Sequence, residues 1–196
     1  MTAIPTRHHH PVAIRTLALF LGGLLLLWLP GAGAQTVQGS DQVREFQVKA
    51  LFLYNFANFV EWPPEAFPSQ DAPLRMCLFG AVPFGEFLDV VDGVSVRDRT
   101  LDVIRTTRDK DIRQGCHILF VGINRLDRLE EFFADMNHLF VLSVGSTEGF
   151  AEQGGVINIL RTRDQQQFEI NLTKAIENGL FISSDLLSLA RIINTN

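Results

Sequence analysis

The stretch Phe46–Pro63, FQVKALFLYNFANFVEWP, organises this chain, because it carries six aromatic residues and only two charged ones. Its apolar residues recur at steps of three and four, which is the spacing of one helical face. These positions are Val43, Phe46, Ala50, Leu53, Ala57 and Val60. More apolar residues extend the surface beyond that face, so the helix is buried on more than one side. Two interpretations remain: a core helix, or a helix packed partly on its own domain and partly on a partner.

Residues 1–34 have the order of a secretory signal peptide: basic residues, an apolar run, and a small-residue cleavage site ending at Ala34. The run Leu17–Leu29 has 13 residues, which is short for a membrane span of about 20. We therefore expect export and cleavage; an uncleaved anchor is the alternative. Without this segment 15 basic and 22 acidic residues remain, a net charge of −7. Such a chain lacks the basic surface that nucleic-acid binding requires.

The pattern after the leading helix predicts a three-layer α/β domain over residues 40–196. About six apolar strand patterns alternate with helical ones, and several strands are nearly continuous in apolar residues, as expected when both faces of a sheet are covered. The sequence predicts a last helix over Asp185–Ile193, with a cap at Ser183-Ser184. No internal repeat or domain boundary interrupts this part.

Two cysteines, Cys77 and Cys116, lie in the exported part of the chain. An even pair in an oxidising compartment predicts a structural disulfide, with two buried free thiols as the alternative. A catalytic pair of Cys116 and His117 is disfavoured, because neighbouring strand residues point to opposite faces of a sheet.

The sequence carries no recognisable catalytic or metal-binding motif. His117 and His138 are the only histidines after residue 34, and two isolated histidines do not make a zinc site. We therefore expect no enzyme activity, no cofactor and no metal. The glycine-rich loop Gly145–Gly155 follows a strand, where α/β sheets bind ligands. Gly145, Glu169 and Asn171 are candidates for a small-ligand pocket, although Asn171 is also expected to cap a helix.

Five sequence segments, in this order, resemble the YfiR family of exported bacterial proteins. They are VKALFLYNFANFVEWP, CLFGAVPFG, CHILFVG, VLSVGSTEGFAEQGGVINI and FEINLTKAIENGLFISSDLLSLARII. The resemblance implies a Rossmann-like, doubly wound sheet with helices on both faces. It also implies a periplasmic protein without catalytic activity that represses a membrane diguanylate cyclase through the periplasmic sensory domain of that enzyme. A peptidoglycan-associated outer-membrane lipoprotein would sequester the repressor.

The resemblance also has implications for disulfide pairing and for the oligomeric state. Cys77 and Cys116 match the family's disulfide pair, whereas the second pair of some relatives is absent, because Ala151, Gly154 and Gly155 stand near that place. Family members also occur as dimers, which suits an apolar leading helix.

The favoured hypothesis is a periplasmic regulator that lowers cyclic di-GMP by binding the cyclase. The residues expected to contact its partner are Phe52, Tyr54, Phe56, Trp62 and Phe150. The alternative is a periplasmic small-ligand sensor or carrier with its pocket at the glycine loop.

Overall fold

The structure is a computed structural model that describes residues 35–82, 84–122, 129–134, 140–161 and 166–194. The predicted signal peptide and His138 lie outside these residues. The chain divides into two units, Met1–Gly39 and Ser40–Asn196, and the fold below is that of the second. None of the helices in the described part is both long enough and apolar enough to cross a bilayer.

The leading helix, α1, covers Gln35–Phe59. Leu53 and Phe56 are buried on its inner side, whereas Leu51 is 57% exposed. The second half of the helix therefore has one face in the core and leaves Leu51 at the surface. The helix ends at Phe59, because Val60 and Glu61 pair as a strand with Ile182 and Phe181.

The described residues form ten strands in two sheets. They are β1 (Val60–Glu61), β2 (Leu74–Phe79), β3 (Ser95–Val96), β4 (Arg99–Thr106), β5 (Ile118–Val121), β6 (Leu142–Gly145), β7 (Ile157–Arg161), β8 (Gln166–Asn171), β9 (Phe181–Ile182) and β10 (Arg191–Ile193). The main sheet has eight strands in the order β10-β8-β7-β6-β5-β2-β4-β3, and β1 pairs with β9. Its pairs are parallel except β3–β4 and β7–β8. The predicted α/β class is confirmed, with two more strands than expected.

Alternating residues of each strand supply two cores, one on each face of the sheet. On β2, Met76 and Leu78 join the core that α1 covers. Cys77 and Phe79 join the opposite core, which includes Ile112 and residues of the helix that follows β5. The sheet is therefore the middle layer of three.

Short helices complete the two outer layers. They are a 3₁₀ helix at Pro64–Ala66, a 3₁₀ helix at Gly85–Val91, α2 (Asp109–Arg113), α3 (Leu129–Ala134), α4 (Leu172–Glu177) and α5 (Ser184–Ser188). The side chain of Asn171 caps α4 by accepting a hydrogen bond from the backbone of Lys174. The segment between β4 and β5 contains α2.

The C-terminal prediction is wrong beyond Ser188. The expected helix over Asp185–Ile193 is replaced by the short α5, which Ser183 caps, and by β10. β10 pairs in parallel with β8, so that Arg191 lies beside Glu169. The pairing places the guanidinium of Arg191 on this buried carboxylate, and two β-branched isoleucines favour the extended backbone. These interactions depend on a strand 22 residues away, so a local helical pattern does not reveal them.

Candidate functional site

The disulfide joins the sheet to the loop before β5. Cys77 on β2 and Cys116 are bonded, with their Cα atoms 5.9 Å apart, inside the usual range for a bridge. Both residues are buried in the core opposite α1. The bridge is therefore a structural element, as the cysteine pair indicated.

The glycine-rich loop is closed by its own phenylalanine. The ring of Phe150 lies against Gly145 and Gly155: a Cβ atom would come within 2.3 Å of the ring at Gly145 and 2.1 Å at Gly155. Phe150 itself is 1% exposed and meets the ring of Phe133 edge-on at 5.3 Å. The glycines are thus needed because an aromatic ring fills the space above them.

The residues predicted to form a ligand pocket, Gly145, Glu169 and Asn171, are all buried in the structure. The structure does bring these residues to one face of the sheet, since Gly145 pairs with Asn158, which pairs with Glu169. However, Asn158 donates to Glu169 (3.2 Å) and Asn171 donates to the carbonyl of Ala151 (2.8 Å). These polar groups are buried, and the bond from Asn171 ties the end of β8 to the loop at Ala151.

The residues predicted to contact a partner divide into two groups. Phe52, Tyr54 and Trp62 are partly exposed. Phe56 and Phe150 are each 1% exposed, so their side chains offer no surface to a partner. For Phe56 the reason is an aromatic cluster in which its ring meets Phe168 edge-on at 5.7 Å. Both predictions are corrected: these two phenylalanines belong to the core.

An open groove lies where α1 ends. It has a volume of about 570 Å³, and its lining includes Trp62, Phe67, Leu74, Val96, Arg97 and Arg99. We call it the Trp62 groove. One wall comes from the end of α1 and β1, and the other from the β3–β4 hairpin. Aromatic and arginine side chains around an apolar base are the composition typical of strong protein-binding sites.

His117 supports the base of the Trp62 groove from behind. Its Nδ1 accepts a hydrogen bond from the backbone N–H of Arg75 (2.9 Å), so the proton is on Nε2, which lies 3.1 Å from the carbonyl oxygen of Ala66. The ring also stacks on Phe67 at 4.4 Å. Burial lowers the pKa of His117 to about 4, and the nearby charge of Arg75 acts in the same direction. His117 is therefore a neutral structural group at neutral pH.

Trp62 and Arg99 fix the rest of that base. The indole N–H of Trp62 donates to the carbonyl of Phe140 at 3.0 Å. Arg99 lies over the ring of Phe67, 3.5 Å from its centroid, and donates to the carbonyls of Gln70 and Ala72. A guanidinium over an aromatic ring is an attractive contact. The segment between the 3₁₀ helix Pro64–Ala66 and β2 is thus held in one shape without regular secondary structure.

Arg97 connects the two walls of the Trp62 groove. From the hairpin it reaches across to Glu61 (3.2 Å) and to the carbonyl of Asn58 (2.8 Å). Its backbone is left-handed, with φ of 54°, a conformation that non-glycine residues rarely adopt.

Analysis of the sequence found Trp62 but missed Phe67, Arg97 and Arg99. Arg97 and Arg99 lie in the β3–β4 hairpin, whereas Phe67 lies in the segment before β2, and the pairing of β4 with β2 brings the two segments together. The one local signal was the charged two-residue turn Arg97-Asp98, which separates Val96 from Arg99. Elsewhere in the described residues, no group of three acidic, histidine or cysteine side chains could hold a metal ion.

The fold and the groove define a three-layer α/β domain with a surface suited to binding. A family model described as YfiR/HmsC-like matches residues 46–191. The chain therefore belongs to the YfiR/HmsC-like family, and the resemblance noted in its sequence is confirmed. Members of this family are periplasmic regulators rather than enzymes.

Two solved structures are distantly similar. A conserved domain protein of Vibrio cholerae has a TM-score of 0.46 and 12% identity, covering 61% of this chain and 54% of its own. An ABC domain of Streptococcus pneumoniae in complex with L-Trp has a TM-score of 0.44 and 12% identity, covering 62% and 55%. This chain thus spans about half the length of each, and a similarity this weak carries no functional argument. No curated protein sequence matches.

Proposed function

We propose that this protein is a periplasmic repressor of an inner-membrane diguanylate cyclase, acting on the periplasmic sensory domain of that enzyme and lowering cyclic di-GMP. The observation that carries the proposal is the match of the YfiR/HmsC-like model to residues 46–191. The geometry is consistent with a binding role, since the groove that the structure forms is open, aromatic and rimmed by charge.

The proposed mechanism is a population shift. The repressor binds one conformation of the sensory domain more tightly than the other, and the difference in affinity sets the activity of the cyclase. A domain tied by a disulfide between β2 and the loop before β5 suits this role, because a rigid surface loses little conformational freedom on binding. Phe52, Tyr54 and Trp62 remain the proposed contact residues, and the exposed Leu51 on α1 joins them.

Release of repression and assembly are part of the same proposal. A peptidoglycan-associated outer-membrane lipoprotein would bind the repressor in competition with the cyclase. The repressor would itself be a homodimer, using an exposed apolar residue such as Phe181. The alternative of a small-ligand sensor at the glycine loop is not proposed, because Phe150 fills that space.

The test is intracellular cyclic di-GMP in a strain deleted for this chain, with and without complementation. We expect a rise on deletion that the wild-type chain reverses. Complementation with Leu51→Arg should restore less repression than Val90→Arg, a control at a residue 79% exposed on the 3₁₀ helix Gly85–Val91. Unchanged cyclic di-GMP on deletion, under oxidising and reducing growth alike, would remove the proposal.

A further inference from the structure

The two strands at the walls of the Trp62 groove are edge strands. In the part of the chain that the structure describes, β1 pairs only with β9, and β3 pairs only with β4 at the end of the main sheet. Val60 and Glu61 of β1 and Val96 of β3 line the groove. Edge strands have backbone groups that can pair with an extended segment of another protein. The walls therefore favour a peptide in extended conformation as the occupant.

Arg97 occupies a turn position that ordinarily takes glycine. The pairing of Val96 with Arg99 makes the β3–β4 connection a two-residue turn, Arg97-Asp98. Such tight turns need a positive φ at their first residue, for which glycine is preferred. Here an arginine adopts it, with φ of 54°. Strained backbone is often found at functional sites, which directs attention to the side chain that the turn presents.

The present contacts of Arg97 are replaceable. Its ion pair with Glu61 joins side chains that are 42% and 65% exposed, and surface pairs of this kind contribute little to stability. The guanidinium uses one nitrogen for Glu61 and the other for the carbonyl of Asn58. A carboxylate that approached both nitrogens at once would form a stronger, bidentate pair.

We propose that the Trp62 groove receives an extended segment of the partner protein, and that Arg97 exchanges Glu61 for an acidic side chain of that segment. Trp62 and Phe67 supply the apolar contact surface, and β1 or β3 supplies backbone pairing. In the free protein Glu61 forms an ion pair with Arg97 and therefore competes with the partner's acidic side chain for the guanidinium. This inference rests on the proposed function, because the partner is the sensory domain of the cyclase.

Two substitutions in the same ion pair test the exchange, because they are expected to act in opposite directions. Arg97→Gly suits the left-handed backbone but removes the guanidinium. Glu61→Gln keeps Arg97 and removes its competitor. The full chain is expressed from an inducible promoter in the deletion strain, and the amount needed for half-maximal lowering of cyclic di-GMP is measured. We expect this amount to rise about tenfold or more for Arg97→Gly and to fall severalfold for Glu61→Gln.

Arg97→Asn is a control for a folding defect, because asparagine also tolerates a positive φ. This variant should weaken repression as Arg97→Gly does. Thermal unfolding of each purified variant should stay close to that of the wild type. If Glu61→Gln and Arg97→Gly weakened repression equally, the ion pair would have only a structural role, and the proposal would be wrong. Wild-type repression by Arg97→Gly would also overturn it while leaving the proposed repressor function intact.

A photo-crosslinking amino acid identifies the occupant directly. Placed at Gln70, an exposed residue of the groove lining, it should give an adduct with a membrane protein in cells. Placed at Val90, outside the groove, it should give none. An adduct between two copies of this chain at Gln70, equal adducts at both positions, or no adduct at Gln70 would each contradict a partner segment in the groove.

Discussion

His117 shows how one side chain can hold the chain in place around Phe67, just after the 3₁₀ helix Pro64–Ala66. Both ring nitrogens have partners, the backbone N–H of Arg75 and the carbonyl of Ala66, and these partners require the neutral ring with its proton on Nε2. A second proton would have to displace the N–H of Arg75 from Nδ1, next to the cationic side chains of Arg75 and Arg99. The segment around Phe67 therefore depends on the protonation state of His117.

This dependence predicts a loss of stability in acid. In the unfolded chain histidine takes up a proton near pH 6.5, whereas folded His117, with its pKa lowered to about 4, does so only in stronger acid. Its stabilising contribution is complete above pH 6.5 and declines as the pH falls towards 4, by about 3 kcal/mol in all. Urea unfolding across this range should show a steeper decline for the wild type than for His117→Gln. Parallel curves for the two proteins would contradict the assignment.

Phe150 and Gly145 provide a second prediction for single residues. Gly145→Ala places a Cβ atom within 2.3 Å of the ring and should cost about 1–3 kcal/mol through overpacking. Phe150→Ala leaves a cavity and should cost about 3–5 kcal/mol. In the double variant the new methyl group enters the vacated space, so the loss measured by chemical denaturation should be smaller than the sum. Strictly additive losses would show that the ring does not press on Gly145.

At the scale of elements, α1 is joined to the sheet by charge as well as by apolar packing. Glu45 pairs with Lys49 one turn away and with Arg161 at the end of β7. Burial alone would raise the pKa of Glu45, but hydrogen bonds from Lys49 and Arg161 outweigh it and hold this pKa below its ordinary value. The helix is thus held at Glu45 by ion pairs between side chains. Further along, Leu53 and Phe56 hold it by packing in the core.

The two leucines of α1 should therefore behave differently. Leu53→Ala removes a fully buried side chain and should cost about 2–5 kcal/mol. Leu51→Ala, at a position 57% exposed, should change the free energy of unfolding by less than about 0.5 kcal/mol. Guanidinium unfolding of the two variants is the measurement. Similar losses in both would mean that α1 packs on the sheet through another face.

For the whole molecule, the disulfide is the main covalent constraint. It joins residues 39 apart, and closing a loop of that length stabilises the fold by roughly 4 kcal/mol in the chain-entropy model. Reductant should lower the unfolding temperature of the wild type. The Cys77→Ser, Cys116→Ser double variant should start lower and not respond. Alkylation of the denatured, unreduced protein should label neither cysteine, and two labelled thiols would remove the bridge.

Much of this architecture could be predicted from local patterns. Continuous apolar runs located β2, β5 and β6, and capping residues located α4 and the start of α5, because burial on both faces and free helix ends leave local traces. β10 could not be predicted, since its backbone pairs with β8 and its Arg191 with a buried carboxylate far away in sequence. The same limit applies to the Trp62 groove, whose walls come from distant segments.

Phe150 shows a different limit. An aromatic residue within a glycine-rich loop resembles an exposed contact residue when only its neighbours in sequence are considered. The structure instead places its ring between Gly145 and Gly155, where the absence of side chains leaves room. A glycine can signal flexibility or a closely approaching ring, and only the folded chain distinguishes these cases.

Cys116 and His117 are consecutive, yet they act on opposite sides of the sheet. Cys116 is bonded to Cys77 in one core, while His117 stacks on Phe67 beneath the Trp62 groove. In mechanical terms, the peptide bond between Cys116 and His117 is anchored to both outer layers of the fold. A pull on a segment seated in the groove would be resisted by a covalent bond on the far side of the molecule. Under load, the groove should yield sooner in the reduced protein than in the oxidised one.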